Sequence, residues 1–181
     1  MIKIRRNVFE TNSSSVHSIV VCNEGLENNR SPFVFNHSPV VFFRLDEFGW
    51  SMGVLDDSWE RASYFYTAAC QLRQHDVKDE IIDLLAPFGI DCVFDEENAP
   101  QYEDYNGFHY LSNGGIDHVD GCQEFVDALM NDGEMLARFL LDDRSFVITG
   151  NDNCDDIDWK WMKEKEAKAA SYEHKTFYKG N

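Results

Sequence analysis

The chain has 181 residues, of which 43% are hydrophobic, and its fourteen Phe, seven Tyr and four Trp can supply a well-packed core. This composition excludes a disordered or fibrous protein, and eleven Gly and four Pro are too few for a linker-rich one. A formal net charge of −17 argues against direct binding to nucleic acid or anionic membranes, because like charges repel.

The opening residues and the cysteines indicate a cytoplasmic protein. No apolar stretch follows the basic start, so no signal peptide is expected, and no window approaches the length of a membrane span. Five widely spaced cysteines without a C-x-x-C pair favour reduced thiols over a disulfide scaffold or a zinc knuckle.

The negative charge is concentrated in one part of the chain. Residues 91–158 carry eighteen Asp and Glu against two Arg, whereas residues 1–90 and 159–181 carry net charges of −4 and +3. We expect a single domain over residues 1–181, with a near-neutral part (1–90) and an acidic part (91–181) as its only substructure.

Strand signals come first along the chain. Hydrophobic and β-branched residues predict a strand at residues 16–21, and then a β-hairpin formed by residues 32–35 and 39–45. Since Phe42 and Phe43 are adjacent in this hairpin, we expect both of its faces to be covered.

Helical spacing follows. Asp57 or Ser58 is predicted to cap a helix that runs to about Gln74, with one apolar face. Asp76 is predicted to cap a second helix, which Pro87 and Gly89 terminate.

Short elements make up the second half. Strands are predicted at residues 90–94, 108–111 and 146–149, and helices at residues 123–130 and 133–141. A final helix is predicted at residues 157–170, and an edge strand follows it at residues 172–178. Strands early and late with helices between them indicate the α+β class, with a mixed or antiparallel sheet and about five helices.

A distinctive polar string precedes the first strand. Its residues are Phe9, Glu10, Thr11, Asn12, Ser13, Ser14 and Ser15, with His17 following after Val16. Asn and Ser side chains bind nearby backbone groups, so we expect a hydrogen-bonded turn that locks the first strand pairing. The alternative is a catalytic serine with His17 as its base, but residues i and i+2 of a strand point in parallel and no G-x-S-x-G elbow is present.

This string, from Phe9 to Ser15 with His17 and Ser18, resembles the start of many small proteins of bacteriophages, mobile elements and Firmicute genomes. Some proteins of this appearance are anti-CRISPR inhibitors of Cas9, so the resemblance implies an inhibitor that acts inside a bacterial host cell. It covers only the opening segment and carries over no site residue.

Two segments have the composition of metal sites. His109, Asp117, His118 and Asp120 offer nitrogen and oxygen ligands near Cys122, but they match neither H-x-x-x-H nor H-E-x-x-H. We expect instead a turn with positive φ at Gly114 and Gly115, and Asp120 as the cap of the helix at residues 123–130. Residues 150–158 resemble a calcium loop, yet Asp156 stands where an EF-hand requires glycine. Neither a metal nor a cofactor is expected.

The acidic part carries the preferred functional hypothesis. Carboxylates spaced along an extended chain approximate the spacing of phosphates along a DNA strand, and aromatic residues, which anchor protein interfaces, lie among them. Acidity could equally serve solubility alone, and the aromatics favour binding. The candidate partner-binding residues are Asp91, Asp95, Glu96, Glu97, Tyr102, Glu103, Asp104, Tyr105, Asp142, Asp143, Asp152, Asp155 and Asp156.

The sequence therefore predicts an acidic protein that binds and inhibits a basic nucleic-acid-handling protein, most specifically guide-loaded Cas9. Direct contact with nucleic acid or a membrane is not expected. Two other classes stay open: a metal-dependent or serine hydrolase or transferase, and a structural phage component.

Overall fold

The computed structural model describes residues 15–23, 38–50, 53–151 and 159–179, and within them the predicted α+β class is confirmed. The strands are β1 (Ser15–Cys22), β2 (Val40–Phe43), β3 (Glu47–Phe48), β4 (Gly53–Leu55), β5 (Asp91–Phe94), β6 (Tyr102–Tyr105), β7 (Phe108–Leu111), β8 (Gly115–Ile116), β9 (Phe146–Asn151) and β10 (His174–Lys179). The α-helices are α1 (Ser58–Arg73), α2 (Lys78–Leu85), α3 (Gln123–Met130), α4 (Gly133–Leu141) and α5 (Trp159–Ala169). None of the helices in these ranges is long and apolar enough to cross a membrane.

The largest sheet places the first strand in its middle. Its described strands lie in the order β10-β1-β9-β4, and β1 pairs antiparallel with both β9 and β10. His17 therefore lies opposite Thr149 on one side and Lys179 on the other. The predicted first strand and the predicted C-terminal edge strand are both present.

The expectation that both faces of the strand at Phe42 and Phe43 are covered is wrong. The predicted hairpin itself stays a prediction, because residues 32–35 lie outside the described residues, in which β2 pairs in parallel with β5. Phe43 is buried and stacks on Phe94 with ring centroids 4.8 Å apart, but Phe42 is 58% exposed. Side chains alternate along a strand, so only the face of β2 that packs towards α1 is covered.

Helix α1 lies at the centre of the molecule. It begins where predicted, because the Asp57 carboxylate accepts hydrogen bonds of 3.0 Å from the backbone of Trp59 and of Glu60. Instead of one apolar face, however, it buries all ten consecutive residues from Arg61 to Cys70. A large hydrophobic cluster surrounds it and draws on both the near-neutral and the acidic parts of the chain. The two parts therefore share one core.

Two predictions about residues 112–123 are wrong. The glycines with positive φ in the described residues are Gly49, Gly89 and Gly107, not Gly114 or Gly115. Gly114 serves a close approach instead, because a Cβ there would lie 3.1 Å from the Cβ of Leu45. Asp120 lies inside a 3-10 helix, Val119–Cys122, and α3 begins after Cys122 without a side-chain cap.

Candidate functional site

Strands β6 and β7 form a surface hairpin within the acidic part of the chain. Its facing pairs are Tyr102 with Leu111, Glu103 with Tyr110, Asp104 with His109, and Tyr105 with Phe108. The two connecting residues, Asn106 and Gly107, have φ of 51° and 82°, the left-handed conformation that a two-residue hairpin turn favours.

One face of this hairpin holds it against the body of the protein. Leu111 is buried, and the Tyr102 hydroxyl donates to the backbone oxygen of Cys70 in α1 over 3.1 Å. The His109 ring stacks on Tyr102 with centroids 5.2 Å apart, and its Nδ1 lies 3.0 Å from the Asp104 carboxylate. The hairpin is therefore anchored through side chains to the central helix.

The opposite face, which we call the outer face, consists of Glu103, Tyr105, Phe108 and Tyr110. Its three aromatic residues are 61%, 76% and 41% exposed in chain order. The Tyr110 hydroxyl donates to Glu103 Oε2 over 3.1 Å, and this hydrogen bond raises the pKa of Tyr110. Contiguous exposed aromatic surface of this kind marks interaction sites in folded proteins.

The carboxylates that precede the hairpin in the chain are exposed as well. Asp91 begins β5, and Asp95 accepts a 3.2 Å hydrogen bond from the backbone of Glu97 at the start of a short 3-10 helix. Glu96 forms an ion pair with Lys78. Most of this negative charge faces solvent, where it acts on an approaching molecule over about a Debye length of 8–10 Å.

Asp142 differs from the other described acidic candidates, which are exposed. Its side chain is only 13% exposed, and its carboxylate accepts hydrogen bonds of 3.0, 3.0 and 2.8 Å from the backbone and side chain of Arg144. Burial opposes ionisation, but these hydrogen bonds outweigh it and lower the pKa of Asp142. Asp143 beside it is exposed, and Asp152, Asp155 and Asp156 lie outside the described residues.

The N-terminal string reaches the described residues only at its end. Residues 9–14 lie outside them, and Ser15 is described as the first residue of β1, opposite Asn151. His17 is buried, with 1% exposure, and both of its ring nitrogens are engaged. Nε2 lies 3.0 Å from the backbone oxygen of Asp117, and Nδ1 lies 2.9 Å from the Tyr64 hydroxyl.

These contacts form a chain of hydrogen bonds. A carbonyl oxygen only accepts, so Nε2 of His17 donates to the backbone oxygen of Asp117. The Tyr64 hydroxyl lies within hydrogen-bond distance of both His17 Nδ1 and the Cys122 thiol, which is 3.2 Å away. Complete burial raises the pKa of Tyr64 well above its ordinary value, with Cys122 as a smaller cause.

The buried cluster of His17, Tyr64, Asp117 and Cys122 joins two segments that the sequence marked separately. Gly49 closes over it with φ of 94°, and a Cβ there would lie 2.9 Å from the Cβ of Asp117. Among the described residues, the two ring nitrogens of His17 contact Asp117 and Tyr64, whereas Ser13 and Ser14 of the alternative serine site lie outside them. The cluster ties β1, α1 and residues 117–122 together.

The four residues with metal-ligand chemistry are not assembled into one site. His109 lies on the hairpin beside Asp104, whereas Asp117 contributes a backbone oxygen to the buried cluster. His118 is 44% exposed, with Nε2 3.9 Å from Asp117 Oδ1, and Asp120 is exposed. Across the described part of the chain, no three His, Cys, Asp or Glu side chains are placed to hold a metal ion. Residues 152–158 of the calcium-like loop lie outside it.

Comparisons with protein-family models, with curated proteins and with solved structures find no match to this chain. A functional interpretation therefore depends on the two arrangements above. The buried cluster is closed to solvent at His17, Tyr64 and Cys122, whereas the outer face is open to a partner.

The sequence identified the aromatic residues of the hairpin but not their arrangement. No strand was predicted at residues 102–105, because acidic residues are depleted in strands. Once β6 is recognised as a strand, alternation alone places Glu103 and Tyr105 on one side of it. Tyr64 was not singled out, since it differs in no local feature from the other aromatic residues of α1.

Proposed function

We propose that this protein is an interaction protein that uses the outer face of the hairpin to bind a basic surface of a nucleic-acid-handling protein. The observation that carries the proposal is the exposure of Tyr105, Phe108 and Tyr110 on one face of an acidic hairpin. Exposed carboxylates alone would serve solubility, but solvent-exposed aromatic groups on the same strands do not.

The two kinds of side chain have different roles in this proposal. Carboxylates on residues 91–104 attract a positively charged partner and raise the rate of association. Aromatic side chains lose contact with water in the complex and lower the rate of dissociation, because large buried rings dominate interface energies. The net charge of −16 on residues 91–158 matches a groove that normally holds DNA or RNA.

The specific partner that we propose is guide-loaded Cas9, which is the partner implied by the resemblance of residues 9–18. The protein would act by occupying the channel for target DNA or by holding the enzyme in a conformation that does not engage target. Both modes place the acidic hairpin against basic residues of the partner.

The test is target-DNA cleavage by guide-loaded Cas9 in the presence of the protein, together with direct measurement of binding. A triple variant, Tyr105→Ala, Phe108→Ala and Tyr110→Ala, should bind at least about tenfold more weakly, because truncating interface aromatics costs more than about 1.4 kcal/mol in total. Its melting temperature should change little, since all three side chains are exposed.

Phe42→Ala is the matched control, because Phe42 is 58% exposed on a different pair of strands. It should bind like wild type. If the triple variant also binds like wild type, the outer face is not the interface. If wild-type protein neither binds guide-loaded Cas9 nor slows cleavage, the assignment of this partner is wrong.

A further inference from the structure

We propose that the outer face is a site for an arginine side chain of the partner, with the guanidinium lying over an aromatic ring and against the Glu103 carboxylate. The inference rests on the proposed function, because it specifies which group on a basic partner the hairpin contacts.

Cations within this chain are repeatedly held by a ring and a carboxylate together. The Arg44 guanidinium lies 4.6 Å from the ring centroid of Trp59 and 2.8 Å from Asp46. The Arg144 guanidinium lies 5.5 Å from the ring of Tyr172 and 2.8 Å from Asp142. Lys78 and Lys165 are placed in the same way, over Phe94 and Phe146 and beside Glu96 and Asp56.

The outer face presents the same two groups, and no cation from the described residues accompanies them. Register places Glu103 opposite Tyr110 and Tyr105 opposite Phe108, so all four side chains emerge from one side of the hairpin. Side chains on such facing and diagonal positions are separated by about 5–8 Å, which one long cationic side chain can span. No Lys or Arg in the described ranges lies over these three rings or pairs with Glu103.

Arginine fits this surface better than lysine for two reasons. The guanidinium is planar and weakly hydrated, so it can stack on an exposed ring without losing a tightly held water shell, whereas an ammonium group is strongly hydrated. It also carries donors in a plane, so it can lie on a ring and donate edgewise to a carboxylate at once. The hydrogen bond from Tyr110 occupies Glu103 Oε2 and leaves Oε1 for such a donor.

The test compares two fluorescently labelled peptides of equal length and charge, one of arginine and one of lysine, titrated into the full chain at low salt. Wild-type protein should bind the arginine peptide roughly two- to fivefold more tightly, the factor expected for an exposed cation–π contact. A triple variant, Tyr105→Leu, Phe108→Leu and Tyr110→Leu, keeps apolar side chains but removes all three π faces, and it should abolish this preference. Phe42→Leu should retain it.

Equal affinity of wild type for the two peptides, or a preference that survives in the triple leucine variant, would overturn the inference. The peptide experiment can fail independently of the Cas9 experiment that tests the proposed function. Protein that binds guide-loaded Cas9 but does not distinguish the peptides contradicts the arginine site alone. Protein that prefers the arginine peptide but does not bind Cas9 supports the site and contradicts that partner.

Discussion

The Tyr64 hydroxyl connects two buried side chains from distant parts of the chain. It lies within hydrogen-bond distance of His17 Nδ1 and of Cys122 Sγ, and these two residues are 47 and 58 positions away from Tyr64 along the chain. Buried polar groups are costly when they lose their hydrogen-bond partners. The hydroxyl therefore stabilises the attachment of β1 and of residues 117–122 to α1.

Tyr64→Phe removes this hydroxyl and little volume. We expect the free energy of unfolding, measured by urea denaturation, to fall by about 1–3 kcal/mol. Tyr66→Phe is the control. The Tyr66 hydroxyl donates to Asp76, an exposed carboxylate that can accept a hydrogen bond from water once the hydroxyl is removed. A Tyr64→Phe protein as stable as wild type would show that the hydrogen bonds of the cluster contribute nothing.

Asp142 provides a prediction about pH. Its folded-state pKa lies below the ordinary value of 3.8, because hydrogen bonds from Arg144 outweigh the effect of burial. A lowered folded-state pKa contributes stability that is complete above the ordinary value and is lost as the pH falls through the folded-state value. We expect Asp142→Asn to be less stable than wild type at neutral pH, and the difference to narrow below about pH 4.

Urea midpoints measured across this pH range check the expectation, with the exposed neighbour variant Asp143→Asn as the control. If the stability difference between Asp142→Asn and wild type stays constant down to low pH, the effect of the substitution comes from altered packing or hydrogen-bond geometry and not from the lost charge.

Residue-level contacts of this kind were the least predictable from the sequence. His17 and Asp117 touch although they are 100 positions apart, and no local pattern links them. The sequence marked both residues for their chemistry, one within a serine-rich string and the other within a set of metal ligands. The contact between His17 and Asp117 could be identified only from the fold, because it depends on where β1 lies relative to α1.

At the scale of elements, the β6–β7 hairpin should be the least stable part of the sheet structure. Among the described strands, β6 and β7 pair only with each other, and a two-stranded hairpin has marginal stability in water. β1, by contrast, has a paired strand on each side. Backbone amides of Tyr105 and Phe108 should exchange hydrogen on the order of a hundredfold or more faster than those of Ile19 and Val21.

Native-state hydrogen exchange followed by mass spectrometry or NMR measures this difference. Protection of the hairpin equal to that of β1 would indicate that the Tyr102–Cys70 hydrogen bond and the burial of Leu111 couple the hairpin to global unfolding. In that case the outer face is a rigid binding surface in the absence of a partner.

Elements with strong local signals were predicted closely. Three elements have the predicted bounds, because apolar spacing is a local property of the sequence: the helices Gln123–Met130 and Gly133–Leu141 and the strand Phe108–Leu111. Strands of two or three residues, such as β3 and β8, have too short a pattern to detect. The parallel pairing of β2 with β5 could not be predicted from the sequence either. About fifty residues separate the two strands, and parallel strands are not joined by a short turn whose residues would mark the pairing.

At the scale of the whole molecule, the uneven charge distribution should control association kinetics. Replacing Asp95, Glu96, Glu97, Glu103 and Asp104 by Asn or Gln should slow association with a basic partner and flatten its dependence on salt. The fold should be retained, since these side chains are exposed.

Stopped-flow association with guide-loaded Cas9 or with the arginine peptide, at two salt concentrations, provides the measurement. Asp79→Asn with Asp83→Asn, on the exposed side of α2, is the control for neutralising carboxylates elsewhere on the surface, compared per charge removed. Association that is equally fast at low salt for the neutralised and the wild-type protein would exclude steering by this part of the surface.

The position of β1 also governs the order in which the protein can assemble during synthesis. Both of its neighbours, residues 146–151 and residues 174–179, come much later in the chain. β1 therefore has no partner in this sheet until residues 146–151 have been translated, although α1 to α4 can form earlier from local contacts. A product that terminates before residue 146 would expose the edges of β1 with nothing to pair with them in this sheet, and it would be a candidate for aggregation or degradation.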